Sequence, residues 1–200
     1  MFPSRLVLII FVTFLFIFSP KQQYAVAGDD PGTYVITMTK NAIDTLTNQS
    51  ISQQEKELRF GQLFDKNFDV PSISRFVLGK YWKQSSLDQK KKFIKAFRNY
   101  IVKTYSSRFN EYSGEQLTLL NFENESNPKI FIVHTALERD DAPMIKVDWR
   151  IGKKKDRYVI LDIIIEGISL AVTQRSEFVS VIDQNDGSID KLISLLKDRT

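Results

Sequence analysis

Apolar residues occupy both even- and odd-numbered positions at the start of the segment Tyr158–Phe178. Six of them surround a single polar residue, Asp162: Val159, Ile160, Leu161, Ile163, Ile164 and Ile165. A strand with one face in water alternates apolar with polar residues, so this pattern predicts a strand buried on both faces. In a small domain, one economical explanation is that such a strand walls a cavity.

Helical periodicity dominates the chain on both sides of a block of strands. The pattern predicts helices over Tyr34–Thr47, from Ser52 to Phe68, from Pro71 to Gly79, from Ser86 to about Tyr112, from about Ser169, and over Ser188–Lys197. It predicts strands at Gln116–Glu123, Lys129–Glu138, Met144–Gly152 and Arg157–Glu166. Ser52 with Glu55, and Ser86 with Gln89, have the spacing of capping boxes. This order predicts an α+β fold: N-terminal helices packed on a four-stranded, mostly antiparallel sheet, with C-terminal helices, enclosing an apolar cavity.

The third and fourth strands pair in a register that their apolar residues predict. The third strand alternates, with Ile145, Val147, Trp149 and Ile151 on its apolar face. Placing Gly152 opposite Tyr158, across a five-residue loop, sets every one of these opposite an apolar residue of the next strand. The predicted pairs are Ile151 with Val159, Trp149 with Leu161, Val147 with Ile163 and Ile145 with Ile165. We expect this shared face to look towards the helices and wall the cavity.

The amino terminus has the pattern of an export signal. Arg5 precedes thirteen residues, Leu6–Phe18, in which Thr13 is the one polar residue, and Ala25-Val26-Ala27 follows as a small-x-small site. Thirteen apolar residues are fewer than the roughly 20 that span a bilayer, which disfavours an uncleaved anchor. The expected organisation is a signal peptide at residues 1–27, cleaved before Gly28, and a single domain at residues 28–200.

Charge and cysteine content narrow the classes of partner. Cleavage would remove Arg5 and Lys21, leaving 26 basic against 24 acidic residues, a balance that does not indicate a nucleic-acid-binding protein. The chain has no cysteine, which suits an oxidising compartment without disulfide bonds. Lysine runs at 90–92 and 153–155 are interpreted as a solvated helix face and a hairpin tip, with contact to anionic lipid headgroups as the alternative for either.

The residue types that catalysis requires are sparse. His134 is the single histidine, so we expect no multi-histidine metal site, and a hydrogen-bonded structural role for that side chain. Gly167-Ile168-Ser169 partly resembles the nucleophile elbow of serine hydrolases, but the second glycine is missing and His134 precedes the serine. Ser169 is more simply the N-cap of the following helix. We therefore predict no catalytic residues, no metal, no cofactor and no enzymatic activity.

Two segments give the chain a family resemblance. Asp162 to Leu170 reads D-I-I-I-E-G-I-S-L, followed by Q-R-S-E-F, and Phe76 to Trp82 reads F-V-L-G-K-Y-W. In this order and separation they resemble the MlaC, or toluene-tolerance, family of periplasmic phospholipid-binding transport proteins. The resemblance extends over roughly Thr33 to Asp198, and Gln174 stands where many relatives have an aromatic residue.

The resemblance implies a function that the residue pattern alone does not. It implies a soluble periplasmic carrier that holds acyl chains in its cavity and shuttles phospholipid between membranes, which maintains outer-membrane lipid asymmetry. The implied partners are phospholipid, an inner-membrane ABC-transporter complex with an MCE subunit, and an outer-membrane complex, by transient docking. Alternatives are a hopanoid-linked carrier of the same family and a cargo-free periplasmic adaptor for an ABC transporter.

We predict that twelve apolar and aromatic residues form the wall or mouth of the cavity. They are Tyr81, Trp82, Phe97, Ile101, Tyr105, Val147, Trp149, Ile151, Val159, Leu161, Ile163 and Leu170.

Overall fold

A computed structural model describes residues 30–139 and 142–199 of the chain. The helices are α1 (Pro31–Leu46), α2 (Gln53–Asn67), α3 (Val70–Leu78), α4 (Tyr81–Gln84), α5 (Leu87–Ser106), α6 (Leu170–Asp183) and α7 (Ile189–Asp198), and a 3-10 helix covers Ser107–Glu111. The strands are β1 (Gln116–Asn124), β2 (Ile130–Arg139), β3 (Ala142–Lys154), β4 (Arg157–Ile165) and β5 (Ile168–Ser169). They form one antiparallel sheet in the order β1-β2-β3-β4-β5.

This architecture confirms the predicted α+β class and differs from the prediction in its smallest elements. The sheet has five strands instead of four, because Ile168 and Ser169 turn back after Gly167 and pair with Ile165 and Ile164. The long aromatic helix predicted to reach Tyr112 ends as an α-helix at Ser106 and continues as the 3-10 helix.

Side-chain caps begin α2, α5 and α6 where the sequence predicts them. The amide of Gln89 donates to Ser86 Oγ over 3.1 Å, and the amide of Ser86 donates to Gln89 Oε1 over 3.0 Å, which completes the predicted capping box of α5. At α2, Ser52 accepts from the amide of Glu55, whose carboxylate instead pairs with Arg59. Ser169 caps α6, since its Oγ accepts from the amide of Val172 over 3.0 Å. These caps satisfy amides that the first helical turn leaves unpaired.

The register predicted for β3 and β4 is wrong. Trp149 lies opposite Ile163 instead of Leu161, and Val147 lies opposite Ile165 instead of Ile163. The strands continue to Lys154 and Arg157, so that a two-residue turn replaces the predicted five-residue loop. Its first residue, Lys155, has a φ of +52°, the conformation that two-residue hairpins of matching twist require.

A bulge in β4 reconciles this tight turn with the apolar pattern. Pairing shifts by one residue between Arg150 and Ile151, which leaves Leu161 as the extra residue of β4. Ile160 therefore faces the same side as Ile151, while Gly152 and Val159 pair on the opposite face. A Cβ placed on Gly152 would lie 3.1 Å from Leu161 Cδ1, which puts the Leu161 side chain over that opposite face.

The described part of the chain has two apolar cores, one among the helices and one between α1 and the sheet. One lies among α3, α5, α6 and α7 and includes Phe178, whose ring meets those of Phe93 and Phe97 edge to face at centroid distances of 5.9 Å. The other lies between α1 and the sheet, where Val35 packs with Trp149 and its neighbours. Between these cores, the α2–α3 junction covers the edge of β4, because the amide of Asp69 donates to the carbonyl of Ile160 over 3.0 Å.

Both faces of β4 are buried only along part of its length. Val159 and Ile160 are fully buried, in agreement with the two-sided apolar pattern, but Ile165 is exposed near the end of the strand. The predicted signal peptide lies outside the described residues. Within residues 30–139 and 142–199, none of the helices has the length and hydropathy needed to cross a bilayer.

Candidate functional site: an apolar cavity

A cavity of about 520 Å³ lies between the first two helices, α5 and the sheet. Its wall receives residues from α1, α2, α3, α5, the 3-10 helix, β2, β3, β4 and α6. Twenty of its 25 described lining residues are apolar or aromatic, and the volume is within the range of about 300–1,000 Å³ that small-molecule pockets occupy. An interior so lined can exclude water from a long apolar molecule.

One face of α5 forms one side of the cavity wall. Phe97, Ile101 and Tyr105 are spaced four residues apart, which places them on one side of the helix, and all three border the cavity. On the opposite wall, Trp149 and Ile163 are neighbours across β3 and β4. The cavity thus lies between the aromatic stripe of α5 and the helix-facing side of the sheet.

Seven of the twelve predicted cavity residues border this space. They are Phe97, Ile101, Tyr105, Trp149, Leu161, Ile163 and Leu170. Leu161 borders the cavity even though its side chain lies against Gly152, on the face of the bulged strand opposite to Trp149. Whether these residues contact a lipid stays a prediction.

Tyr81 and Trp82, predicted at a pocket mouth, do not border the cavity. Tyr81 is buried in the helical core, where its hydroxyl donates to Asp183 of α6. Trp82 packs against the same core, with the Lys90 ammonium 5.4 Å from its ring. Tyr81 thus joins α4 to α6, and Trp82 joins it to Lys90 of α5.

Val147, Ile151 and Val159 are buried but do not border the cavity either. Val147 and Ile151 flank Trp149 on the helix-facing side of β3 and belong to the core beneath α1. Val159 lies on the opposite face because its partner is Gly152 and not Ile151. The larger Trp149 ring, between the two smaller residues, is the part of β3 that reaches the cavity.

Sequence reasoning missed the contributions of α1, α2 and the 3-10 helix. These include Met38 and Ile43 of α1, Phe60 and Leu63 of α2, and Arg108 and Phe109. The apolar stripes of α1 and α2 were visible as amphipathic helix faces, but periodicity alone does not say whether a face meets packed core or empty space. The Phe109 ring lies tilted against the Phe60 ring, with centroids 5.8 Å apart, and both border the cavity.

Most polar groups in the wall have partners within the protein. The Asn67 amide donates to the carbonyl of Leu63, and Asp162 accepts from the amide of Ala171 and the hydroxyl of Ser169. Thr39 is different: among the described residues, its buried Oγ1 makes no hydrogen bond. A buried hydroxyl without a partner is uncommon in folded proteins.

Charged groups gather near Tyr105. Burial is the main cause of the raised pKa of the Tyr105 hydroxyl; the Glu177 carboxylate adds to it, and the Arg108 guanidinium opposes it. Both charges are therefore close enough to Tyr105 to act on it. Among the described residues that line the cavity, Arg108 is the one cationic side chain.

The candidate catalytic side chains have structural partners. His134 Nδ1 lies 2.7 Å from Asp148 Oδ1 on the sheet face opposite Trp149, which matches the hydrogen-bonded role expected of it. Ser169 Oγ accepts from the amide of Val172 and donates to Asp162, the geometry of a helix cap. No group of three or more histidine, aspartate or glutamate side chains suited to a metal ion occurs in the part of the chain that the structure describes.

Comparison with known proteins decides the family. The model of the family described as MlaC protein matches residues 37–198. The chain belongs to the MlaC family. This confirms the resemblance carried by the F-V-L-G-K-Y-W and D-I-I-I-E-G-I-S-L segments.

Two relatives of this MlaC family protein illustrate its similarity to known proteins. It is 28% identical over 125 residues to the intermembrane phospholipid transport system binding protein MlaC of Haemophilus influenzae, in a match that covers 60% of this chain and 57% of that relative. The chain thus matches little more than half the length of this relative. Its fold is similar to that of a phospholipid-binding protein from Ralstonia solanacearum, solved in complex with a phospholipid, with a TM-score of 0.73 and 19% identity. That similarity covers 85% of this chain and 96% of the other.

Proposed function

We propose that this protein is a periplasmic carrier that holds the acyl portion of a phospholipid in the cavity between α5 and the sheet. The observation that carries the proposal is an apolar cavity of about 520 Å³ in a chain of the MlaC family. The similar protein from Ralstonia solanacearum was solved with a phospholipid, and the relative from Haemophilus influenzae is the binding protein of an intermembrane phospholipid transport system.

The energetics of lipid transfer favour a cavity of this kind. Each buried methylene contributes about 0.8 kcal/mol, so removing a sixteen-carbon chain from a bilayer into water costs on the order of 12 kcal/mol. A carrier makes extraction close to isoenergetic by replacing that burial with its own apolar wall. Exchange can then be driven by docking, without hydrolysis by the carrier itself.

Location and partners complete the proposal. The leader pattern at residues 1–27 predicts export and cleavage before Gly28, which would leave the domain in the periplasm. Membership of the MlaC family suggests transient docking to an inner-membrane ABC-transporter complex with an MCE subunit and to an outer-membrane complex. Shuttling between them would maintain lipid asymmetry of the outer membrane.

Native mass spectrometry of protein purified from periplasm without detergent tests the proposal. We expect folded protein with phospholipid bound, released as intact diacyl lipid on collisional activation. A bound hopanoid would assign the cavity to the other carrier class. Folded protein with no lipid, which also fails to take lipid from vesicles, would overturn the carrier proposal and favour the cargo-free adaptor.

A further inference from the structure

Among the described residues, the cavity wall contains one cationic side chain, Arg108, whose presence an apolar cargo alone does not explain. Arg108 lies in the 3-10 helix after α5 and lines the cavity, next to Phe109. Arginine lowers the affinity of a cavity for a bare hydrocarbon, because its guanidinium must keep water or another polar partner. The Arg108 side chain is 67% exposed and so remains in water, which places it where a polar part of a ligand would lie.

The bonding of Arg108 leaves the guanidinium available. Its ion pair joins Nη1 to the Glu111 carboxylate, one turn away in the same 3-10 helix, at 3.7 Å. The two side chains are 67% and 73% exposed, so this pair contributes little and is readily exchanged. The other nearby carboxylate, Glu177, accepts a hydrogen bond from Gln174 over 3.0 Å.

The position of Arg108 fits the rim of the cavity. Its side chain is mostly exposed although it borders the same space as Tyr105 and Ile101. An acyl chain lying along α5 would place its glycerol and headgroup where the wall opens to water. Arginine binds phosphate oxygens in a planar, bidentate geometry and keeps its charge at every physiological pH.

We propose that Arg108 binds the phosphate group of the lipid headgroup at the cavity rim and so selects phosphate-bearing lipids over neutral lipids with the same acyl chains. This inference rests on the proposed function. We expect the phosphate to compete with the Glu111 carboxylate for the Arg108 guanidinium, from which that carboxylate lies 3.7 Å away. The apolar wall provides the affinity for acyl chains, and Arg108 provides the preference for phosphate-bearing lipids.

A competition between two lipids tests the preference separately from the affinity. The purified protein is equilibrated with vesicles containing a phosphatidylethanolamine and a diacylglycerol of identical acyl chains, and the bound lipids are measured by mass spectrometry. The wild type is expected to favour the phospholipid. Arg108→Gln is expected to lower the ratio of phospholipid to diacylglycerol by about two- to fivefold, the range that an exposed ion pair contributes. Arg108→Lys should fall between them.

Arg59→Gln is the matched control. Arg59 is a half-exposed arginine of α2 that pairs with Glu55 over 2.7 Å and does not border the cavity. The Arg59→Gln substitution should leave the ratio of bound phospholipid to diacylglycerol unchanged. An Arg108→Gln protein that binds less of both lipids at an unchanged ratio would show a structural role and overturn the proposal.

Two further outcomes distinguish failure of the Arg108 assignment from failure of the proposed carrier function. If the wild type takes up neither lipid, the carrier function itself fails. If it takes up phospholipid and Arg108→Gln keeps the same ratio, only the Arg108 assignment fails. Inorganic phosphate is the remaining probe: an Arg108-dependent rise in the melting temperature of lipid-free protein, without any change in lipid ratio, would assign the site to free phosphate instead of lipid.

Discussion

The guanidinium of Arg175 lies against the backbone of Gly79. A Cβ atom placed on Gly79 would come within 3.0 Å of Arg175 Nε, and the guanidinium carbon is 5.1 Å from the centre of the Phe76 ring. The two sequence segments that carry the family resemblance, around L-G-K-Y-W and Q-R-S-E-F, therefore meet at this contact between α3 and α6. Their separation by nearly a hundred residues hides this relationship in the sequence.

Gly79→Ala should destabilise the protein for two reasons. Gly79 has a φ of +53° and a ψ of −125°, a region that residues with a Cβ avoid, and the new methyl group would displace Arg175. We expect a loss of about 1–3 kcal/mol in the free energy of unfolding, measured by urea denaturation. Gly114→Ala is the control, because Gly114 also has a positive φ, +105°, but no atom within 4 Å of the added methyl group. Equal losses in the two variants would mean that the Arg175 contact contributes nothing.

Asp69 should make the stability dependent on pH. Burial raises the pKa of its carboxyl, but hydrogen bonds from Lys154 and Ser72 and the charge of Lys154 outweigh burial and lower the pKa below its ordinary value. A lowered pKa stabilises the folded protein above the pKa of the unfolded chain, about 3.9, and this stabilisation disappears as the pH falls through the folded value. Wild type should therefore exceed Asp69→Asn in stability at pH 6 but not at pH 2.

The exposed pair of Lys40 and Asp44 provides the comparison for that titration. Their charged atoms are 3.7 Å apart and both side chains are mostly exposed, so Asp44→Asn should change stability little at either pH. Denaturant midpoints of the three proteins at each pH check the expectation. A constant difference between wild type and Asp69→Asn from pH 6 to pH 2 would contradict it.

Ser169→Ala should remove a helix cap and leave lipid binding intact. The lost cap of α6 should cost about 1 kcal/mol of stability, and Asp162 would lose the Ser169 hydroxyl while keeping the amide of Ala171. Thermal unfolding and bound-lipid content measure the two effects. An esterase activity that is present in the wild type and lost in a folded variant would revive the hydrolase interpretation.

Local signals in the sequence predicted most of the fold. Ser86 with Gln89 and the Ser169 cap depend on neighbours within a few residues, so the pattern is sufficient to predict them. The register of β3 and β4 depends on the turn at Lys155 and the bulge at Leu161. Neither feature can be read from the apolar pattern, because apolar or aromatic residues occupy seven of the nine positions of β4, and more than one register gives the apolar residues of β3 apolar partners.

The cavity was predicted in outline and missed in part for a similar reason. The aromatic stripe of α5 and Trp149 border it, as expected. Tyr81 and Val147 do not, because apolar side chains that fill a core and those that border a void have the same periodicity. Only the relative placement of α1, α2 and the sheet distinguishes them, and that placement depends on contacts far apart in the chain, such as the amide of Asp69 with the carbonyl of Ile160.

Processing of the amino terminus is a separate prediction that concerns residues outside the described part of the chain. Protein recovered from periplasmic extract should begin at Gly28 or within a few residues of it, because Ala25-Val26-Ala27 has small residues where signal peptidase requires them. Intact-mass analysis with N-terminal sequencing measures this. A membrane-bound species that retains Met1 would contradict it.

A pair of isoleucines on α5 offers the sharpest test of where the lipid lies. Ile101 borders the cavity, whereas Ile94, two turns earlier, packs against the helical core away from it; both are half-buried. Replacing either by glutamate places a carboxylate in an apolar environment, so both variants should lose comparable stability, about 1–3 kcal/mol. Ile101→Glu should also lose most co-purified phospholipid, because an unpaired charge in the wall opposes the acyl chain, while Ile94→Glu should retain it. Native mass spectrometry reads the lipid content, and denaturation confirms that the two proteins are equally folded. Equal lipid content in the two variants would place the acyl chains elsewhere in the molecule.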